Sequence, residues 1–415
     1  MDDLLAAISA NLDDDAPRLA YADVLQRRGD PLGEFITVQC ELAALGHVHR
    51  PTAFEWTGDA LLDGELDTAH TRGLRVRENT LLREHEATWA AGARSVSVHG
   101  RYVFERGFVS RITADGRKSL EGVLDAVPTL VELELANLNG IARIDARAMA
   151  QLRALAIHAS ALRDVCWTRP RALRRLEVAD TRTWQADPLI RWSALARLRA
   201  LDLVMANVDA DRVIEILDAA PFLDELQLRQ GKLGEAGARA LAGCRNARSL
   251  RALSLVTNRI GCGGAAALAS SEHLRQLRAL DVRTCAIRRD GARAIGNAFA
   301  ELRTLDLTSN PLGTEGLRAL VGGGGLTALR ELSLQATRLD DDAVRMLAEA
   351  PLLAHVKVLS LRANDITDHG ARALAASPFA TNLRAINLDK TRVTAAGKQA
   401  LMDAMDRVTG DDRGN

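Results

Sequence analysis

Four histidines are the residues best suited to hold a metal ion, because a neutral imidazole is a common metal ligand. His47 and His49 are two residues apart, and His70 or His85 could complete a ligand set with them. Nothing in the sequence places these four side chains on a common face. We therefore expect no metal site and no cofactor.

The segment VGGGGL (321–326) has the glycine content of a phosphate-binding loop. It lacks the GxxxxGK[ST] spacing with which such loops hold phosphates, and it falls between a predicted helix and the next predicted strand. We interpret it as a connecting loop. The sequence also has no HExxH, GxSxG or CxxC motif, and we predict no catalytic residue.

The composition of the chain indicates in which compartment the protein is expected and which classes of partner are not expected. Five cysteines show no paired spacing, and the odd count argues against a disulfide framework and favours a reducing compartment. The start of the chain, MDDLLAAISANLDDD, is acidic where a secretory signal would be basic, and no 18-residue apolar run occurs. We expect a cytoplasmic protein without membrane contact. Lys plus Arg equal Asp plus Glu at 54 each, so no net charge favours nucleic acid.

A repeat is the dominant feature of the sequence. Six segments begin alike, from LRALSLVTNRI to LRAINLDKTRV, with first residues 25 or 27 residues apart. These first residues, which define position 1, are Leu250, Leu277, Leu302, Leu329, Val356 and Leu383. The register continues backwards, less regularly, through Leu223, Leu198, Leu173, Leu152 and Leu130. A period of this length predicts a solenoid of eleven stacked layers.

The pattern LxxLxLxxNxL, followed by lines such as ITDHGARALAASPF, resembles leucine-rich repeats of the ribonuclease-inhibitor type. The resemblance covers residues 130–408 and leaves 409–415 as a tail. It implies an α/β fold, a right-handed horseshoe solenoid with a concave parallel sheet and convex helices. Positions 4 and 6, such as Leu305 and Leu307, should point inward from a short strand, and the intervening residues should point outward.

The segment before the repeats is predicted to be helical. Residues 1–45 place apolar side chains at helical spacing, and RLAYADVLQRRGDPLGEFITVQCEL resembles the repeat-companion domain of planctomycete and myxobacterial proteins. The resemblance implies a small N-terminal helical domain in a bacterial protein and no established activity. Val24 stands where such domains usually carry Trp. Residues 46–100 are predicted to be a helical and loop connector, and residues 101–129 a capping repeat with a strand-like segment over Tyr102–Gly116.

Position 9 of the repeats carries small side chains that can hydrogen-bond the backbone where the chain leaves the sheet. The resemblance implies that they form a structural ladder. The ladder residues are Asn258, Cys285, Asn310, Thr337, Asn364 and Thr391. Ala206 and Gly231 cannot make this bond, so we expect the middle repeats to be looser.

Charged side chains recur in columns along the repeats. Position 2 is basic from Arg153 to Arg384 except at Asp224, position 5 is rich in carboxylates, and position 7 is mixed. Like charges about 5 Å apart repel, so one interpretation is a cross-compensated, solvated face in which the acidic column neutralises the nearby like charges. The other is a mixed-charge concave surface that recognises a protein or peptide. Its predicted partner-binding residues are Arg229, Asp281, Arg283, Asp306, Glu331, Gln335, Arg362 and Asp389.

The function that we expect is a non-enzymatic protein- or peptide-binding scaffold, since a preformed sheet loses little entropy on binding. The alternative is an accessory or catalytic subunit of an enzyme system with chemistry in residues 46–110, where clustered groups with shifted pKa values would favour it. Nucleic-acid binding along the arginine column would show steep salt dependence. The strand edge and apolar Leu401, Met402 and Met405 of the last repeat allow a monomer or a homodimer through the C-terminal edge.

Overall fold

Two compact units make up the described chain. The computed structural model describes residues 2–12, 14–45, 69–115, 122–136, 146–161, 170–179, 187–205 and 208–406. The first unit comprises residues 1–179 with 192–194, and the second comprises residues 180–191 with 195–415. Both units combine strands and helices, so the predicted α/β class is confirmed. The predicted domain boundaries, at residues 45, 100, 129 and 408, stay predictions. Among the described residues, no helix has the length and apolar character needed to cross a membrane.

The first unit begins with helices. They are α1 (Asp2–Ala10), α2 (Asp15–Arg27), α3 (Pro31–Ala44), α4 (Ala69–Trp89) and α5 (Ala91–Val96). Aspartate caps start two of them. Asp14 Oδ1 accepts a hydrogen bond from Ala16 N at 3.0 Å, and Asp30 Oδ1 accepts one from Leu32 N at 2.9 Å, with a proline opening α3. The acidic and proline-containing segments of the sequence thus begin these helices.

A hairpin follows the helices, and its two strands include most of the segment over Tyr102–Gly116 that was predicted to be strand-like. Strand β1 (Ser97–Glu105) pairs with β2 (Phe108–Asp115) in antiparallel fashion. The turn residues Arg106 and Gly107 have φ of 52° and 88°, and such pairs of positive φ suit the twist of a hairpin. A Cβ on Gly107 would lie 2.3 Å from Cγ1 of Ile36. Only glycine therefore allows α3 to pack against this turn.

Aromatic contacts join the hairpin to the helices within the first unit. The Phe35 ring stacks on Trp89 at 4.7 Å between centroids and meets Phe104 edge-on at 5.5 Å. Gln39 Oε1 also accepts a hydrogen bond from Gly107 N at 2.6 Å. The N-terminal helices, α4 and the hairpin therefore pack as one body.

The remaining elements of the unit are α6 (Val123–Ala126), β3 (Glu132–Ala136), α7 (Ala146–Gln151), β4 (Ala154–His158) and β5 (Arg175–Ala179). Strands β2 to β5 pair in parallel in chain order.

The second unit alternates strands and helices. Its strands are β6 (Ala200–Val204), β7 (Glu225–Arg229), β8 (Ala252–Ser254), β9 (Ala279–Asp281), β10 (Thr304–Asp306), β11 (Glu331–Ser333), β12 (Val358–Ser360) and β13 (Ala385–Asn387). Its helices are α8 (Asp187–Ile190), α9 (Ala210–Ala219), α10 (Gly234–Gly243), α11 (Gly261–Ser270), α12 (Arg289–Gly296), α13 (Gly313–Val321), α14 (Asp341–Glu349), α15 (Asp368–Ala375) and α16 (Ala395–Asp406).

Each strand of the second unit pairs in parallel with the next, layer on layer. Leu305 lies between Leu280 and Leu332 in the register, so position 4 meets position 4. Leu305 and Leu307 are both fully buried, as predicted for positions 4 and 6. Consecutive helices pack against one another in a second layer. No single repeat encloses its own leucines, and the stacking of layers buries them.

Position 8, directly after each strand, adopts a left-handed backbone in eight successive repeats. The residues are Met205, Gln230, Thr257, Thr284, Ser309, Ala336, Ala363 and Lys390, with φ between 51° and 59°. Such a conformation costs a non-glycine residue about 1 kcal/mol. The turn gains a hydrogen bond to the next layer: Thr284 N donates to Thr308 O at 2.9 Å, and Ser309 N donates to Gln335 O at 2.8 Å. The inter-layer ladder therefore continues past the strand ends.

Candidate functional site

The strand face of the second unit consists of the side chains at positions 3, 5 and 7 of the repeats that contain β6 to β13. These positions alternate with the buried positions 4 and 6, so they lie on the opposite side of the sheet. The parallel register places Asp281 beside Asp306 and flanks this pair with Ser254 and Ser333. Two carboxylates in adjacent strands thus meet at the centre of the unit.

Asp281 is held from several directions. Arg283 donates from Nε to Oδ1 at 3.0 Å and from Nη2 to Oδ2 at 2.7 Å. The hydroxyl of Ser254 donates to Oδ2 at 3.1 Å. The Asp281 side chain is 2% exposed, whereas that of Arg283 is 40% exposed. The carboxylate is therefore covered, while its guanidinium partner still reaches solvent.

Asp306 shares the same arginine more loosely. Its Oδ2 lies 3.6 Å from Arg283 Nε, and its Oδ1 accepts a hydrogen bond from Thr308 N at 2.8 Å. Burial, helped by the neighbouring Asp281 charge, raises the pKa of Asp306 to about 6, although Thr308 and Arg283 oppose this rise. Asp306 is thus the group in this cluster whose charge changes just below neutral pH.

A second arginine is fixed in the same way nearer the start of the unit. Arg229 Nε donates to Asp202 Oδ1 at 2.9 Å, and Arg229 Nη2 bonds Oδ2 of the same carboxylate. The side chains are 29% and 4% exposed, respectively. Asp202 belongs to the preceding repeat, so this pair links two layers.

In the second unit, carboxylates of the acidic column at position 5 neutralise arginines at position 7. Asp202 and Asp281 engage Arg229 and Arg283, both at position 7. The physical reason is direction: positions 5 and 7 share one side of the strand, whereas position 2 precedes the strand. At position 2 itself, Arg199 lies 3.8 Å from Asp224 of the next repeat.

The predicted partner-binding residues all lie in the second unit but differ in exposure. Asp281, Asp306 and Glu331 are buried, whereas Asp389 is exposed. Arg229, Arg283, Gln335 and Arg362 are half-buried. The set predicted from the sequence did not include Asp202, which binds Arg229, or Ser254, which binds Asp281. Both residues occupy position 5 of the repeats, and that position could have identified them.

The ladder residues bond the backbone across repeats. Asn310 Nδ2 donates to Val282 O at 2.8 Å and to Leu307 O at 2.9 Å, while its Oδ1 accepts from Cys285 N and Ile287 N at 3.1 and 2.9 Å. Asn364, two repeats later, makes the equivalent four bonds. The asparagine therefore serves the backbone of the preceding repeat as well as its own.

At three other ladder positions the side chain donates one hydrogen bond to a backbone carbonyl. Cys285 Sγ donates to Leu255 O at 2.9 Å, Thr337 Oγ1 donates to Leu334 O at 2.7 Å, and Thr391 Oγ1 donates to Leu388 O at 2.6 Å. Burial raises the pKa of the Cys285 thiol to about 11, so the thiol is protonated at neutral pH.

The turn that contains Gly231 receives its side-chain bonds from the next repeat. Asn258 Nδ2 donates to Leu228 O at 2.5 Å, and Asn258 Oδ1 accepts from Leu233 N at 3.3 Å. The absence of a side chain at Gly231 is thereby offset. Ala206, for which a looser repeat was also predicted, lies outside the described residues.

The remaining candidates for chemistry separate in space. His70 and His85 both belong to α4, and 15 residues of helix place them about 22 Å apart. His47 and His49 lie outside the described residues. Within the described part of the chain, no three His, Cys, Asp or Glu side chains could together hold a metal ion.

In the VGGGGL segment, a Cβ on Gly323 would lie 2.2 Å from the Gly296 carbonyl carbon, so this glycine permits close backbone packing.

The described part of the 46–110 segment, residues 69–110, holds ion pairs and hydrogen bonds of ordinary type. Tyr102 OH donates to Glu86 Oε1 at 2.8 Å and accepts from Arg94 Nε at 3.0 Å. Burial, together with the Glu86 bond, raises the pKa of Tyr102. Residues 46–68 of the segment lie outside the described residues.

Comparisons with known proteins fit this architecture. The family described as Leucine Rich repeat matches residues 302–321 and 353–375. No curated protein matches the chain. Among solved structures, a chain of the yeast Rad7–Elc1 complex has a TM-score of 0.49 and 15% identity over 90% of this chain and 92% of that one.

Two further solved structures show the same kind of likeness. An internalin (inlF) from Listeria monocytogenes has a TM-score of 0.40 and 17% identity over 72% of this chain and 85% of that one. A chain of the TLR13–ssRNA13 complex has a TM-score of 0.40 and 18% identity over 68% of this chain and 49% of that one. At these identities and TM-scores, we draw no conclusion about this chain from the three structures. Residues 302–321 and 353–375 match leucine-rich repeats, as the sequence pattern predicted for that part of the chain.

Proposed function

We propose that the strand face of the second unit binds a protein or peptide and that the protein has no enzymatic activity of its own. The observation that carries this proposal is the state of Arg229 and Arg283. Each guanidinium is fixed by a buried carboxylate, Asp202 or Asp281, yet keeps 29% or 40% of its side chain exposed. These arginines are oriented before any partner arrives.

Such fixed arginines suit a protein interface. Arginine is enriched at interface hot spots, and a side chain that is already ordered loses less entropy on binding. Between the two arginines the strand face carries uncharged residues that include Ala252, Ser254, Val256 and Ala279. A partner side chain can approach the sheet there, while Arg362 and Gln335 continue the polar surface along the unit.

The proposal includes the finer features that the resemblances imply. They are ribonuclease-inhibitor-type repeats, a bacterial companion domain at residues 1–45 and a cytoplasmic location. A homodimer through the C-terminal edge is the alternative to a monomer. Leu401 is buried at 1% exposure and Met402 is 56% exposed, so of these two only Met402 offers an apolar contact there.

Affinity capture with matched variants tests the strand face. Full-length protein with wild-type sequence, with Arg362→Glu, or with Arg318→Glu would be used as bait in a lysate of the native cell. Arg362 belongs to the strand face, whereas Arg318 lies exposed on α13, and both substitutions change the net charge equally. Circular dichroism would check that the three baits are equally folded.

A protein retained by the wild-type and Arg318→Glu baits but lost from the Arg362→Glu bait would support the proposal. Partners retained equally by all three baits, or no retained protein at all, would contradict it. The Arg362→Glu variant is informative because, among the described residues, no hydrogen bond or ion pair holds the Arg362 side chain.

A further inference from the structure

Four basic residues form a continuous row at the start of four neighbouring strands. This cation row consists of Arg278, Arg303, Arg330 and Lys357, at position 2 of consecutive repeats. Their backbones bond directly: Arg303 N donates to Arg278 O at 2.8 Å, Arg330 N to Arg303 O at 2.8 Å, and Lys357 N to Arg330 O at 2.7 Å. The spacing is therefore that of parallel strands, about 4.8 Å, and the row is about 14 Å long.

The row is not neutralised within the described part of the chain. None of its four side chains forms an ion pair or a hydrogen bond with another described residue. The acidic column at position 5 is engaged elsewhere, because Asp281 and Asp306 face Arg283. Arg278, Arg303 and Arg330 are exposed, and Lys357 is half-buried. Four like charges at this spacing repel one another, and an anionic partner would relieve that repulsion.

We propose that the cation row receives an acidic segment of the protein partner. This inference rests on the proposed function and specifies the chemistry of the partner. An extended peptide advances about 3.3 Å per residue, so about five residues span the row. Guanidinium groups bind carboxylates with two parallel hydrogen bonds, which favours arginine at such a site.

The charges beside the row favour a short acidic peptide over a nucleic acid. The strand face carries three cations, Arg229, Arg283 and Arg362, against six carboxylates, Asp202, Glu225, Asp281, Asp306, Glu331 and Asp389. A phosphate backbone is charged along its whole length, so any part of it that crosses the strand face meets repulsion. A protein segment can be acidic over the row and neutral or basic over the face. The two surfaces together therefore select a partner with a local acidic stretch.

Binding of labelled oligoglutamate to the full-length protein tests the row. A fluorescein-labelled oligoglutamate of about eight residues covers it when extended, and fluorescence anisotropy reports the affinity. The row variant is Arg303→Glu with Arg330→Glu. The matched control is Arg289→Glu with Arg318→Glu, which changes the net charge by the same amount at exposed positions on α12 and α13.

We expect the wild-type protein and the control to bind oligoglutamate with an affinity that falls as salt is added, and the row variant to bind at least about tenfold more weakly. Equal weakening in both variants would overturn the proposal, because net charge alone would explain it. Absence of wild-type binding would overturn it as well. Tighter binding of an oligothymidylate of equal charge would overturn it in favour of a nucleic acid.

The captured partner separates this inference from the proposed function. If the partner is lost from the Arg362→Glu bait but not from the row variant, the proposed role of the cation row is rejected and the proposed role of the strand face is retained. Loss from the row variant but not from the Arg362→Glu bait would reject the strand face and support the row as the anchoring site.

Discussion

The guanidinium of Arg283 closes on the carboxylate of Asp281, which lies two residues earlier in the same repeat. The contact is double, with Nη2 to Oδ2 at 2.7 Å and Nε to Oδ1 at 3.0 Å. It arises because residues i and i+2 of an extended chain share one side. Arg283 Nε also lies 3.6 Å from Asp306 Oδ2 in the next repeat. One arginine therefore balances two buried carboxylates from adjacent layers.

Removal of this arginine should destabilise the protein. We expect Arg283→Met to lower the free energy of unfolding by about 2 kcal/mol at neutral pH, because Asp281 is left buried without a counter-charge. The value lies below the full cost for a buried pair because the Arg283 side chain is 40% exposed and partly screened by water. Urea denaturation monitored by circular dichroism measures the change.

Two control variants show whether the loss comes from the pair. Arg283→Met combined with Asp281→Asn should recover part of the stability, since no buried charge then lacks a partner. Arg303→Met, which removes an exposed arginine one repeat away, should change stability by less than about 0.5 kcal/mol. Equal effects of Arg283→Met and Arg303→Met would show that the Asp281 contact contributes nothing.

Asp306 should make stability depend on pH between about 4 and 7. Burial, followed by the Asp281 charge, raises its pKa to about 6 from an ordinary value of 3.8, so the folded chain binds this proton more tightly than the unfolded chain. The ionised group therefore opposes folding above pH 6, and the stability it withholds returns as the pH falls from about 6 towards 3.8. The contribution is up to about 3 kcal/mol, from 1.36 kcal/mol per pKa unit.

The Asp306→Asn variant isolates this dependence. It should be more stable than the wild type at about pH 8, and the difference should shrink or reverse at about pH 4.5. Hydrogen bonds from Thr394 lower the pKa of Asp368, so that carboxylate loses its contribution only at still lower pH and does not overlap this window. Unfolding curves of both proteins with the same pH dependence would show that Asp306 does not titrate as described.

The repeat period predicted the strands and their buried leucines but not the pairing of charges. Position 1 alone fixes the register, and Leu305 and Leu307 follow from it. Whether Arg283 or a position 2 arginine pairs with Asp281 depends on the direction and length of each side chain. The repeat pattern in the sequence does not give the direction. The columns were therefore correct as positions, and the acidic column does neutralise arginines at position 7, but the sequence alone did not show which basic side chains it reaches.

The conformations of two kinds of turn were also not predicted from the sequence. The β1–β2 turn uses Arg106 and Gly107 rather than the Asn-Gly or Asp-Gly pairs that mark tight hairpins in a sequence. The left-handed backbone at position 8 could likewise not be predicted from residue type, because none of the eight residues there is Gly, Asn or Asp, the types that favour it. Hydrogen bonds to the next layer impose both the position and its conformation.

Asn310 should be among the most costly ladder positions to change. Its side chain is fully buried and makes four bonds of 3.1 Å or less to the backbone of two repeats. We expect Asn310→Ala to lower the free energy of unfolding by about 3 kcal/mol, because it leaves several buried backbone groups without partners. Thr391→Ala removes one short bond to Leu388 O and one longer bond from Val393 N at a half-buried site, and it should cost about 1 kcal/mol. Similar losses for both would contradict this ranking.

Position 8 offers a stabilising substitution. Ala363 is exposed and has φ of 57°, a region in which an L-residue with a Cβ is strained by about 1 kcal/mol and glycine is not. Ala363→Gly should therefore raise the free energy of unfolding by about 0.5 kcal/mol, since part of the relief is offset by the greater freedom of glycine in the unfolded chain. Ala336→Gly, at φ of 51° one repeat earlier, should behave alike.

Ala266, exposed in the middle of α11, provides the matched control for these glycine variants. There the backbone is right-handed, so Ala266→Gly should lower stability by about 1 kcal/mol. Denaturant midpoints measured side by side would show opposite signs for the two kinds of site. A loss of stability at Ala363 as large as that at Ala266 would show that the position 8 backbone is not held in the left-handed region.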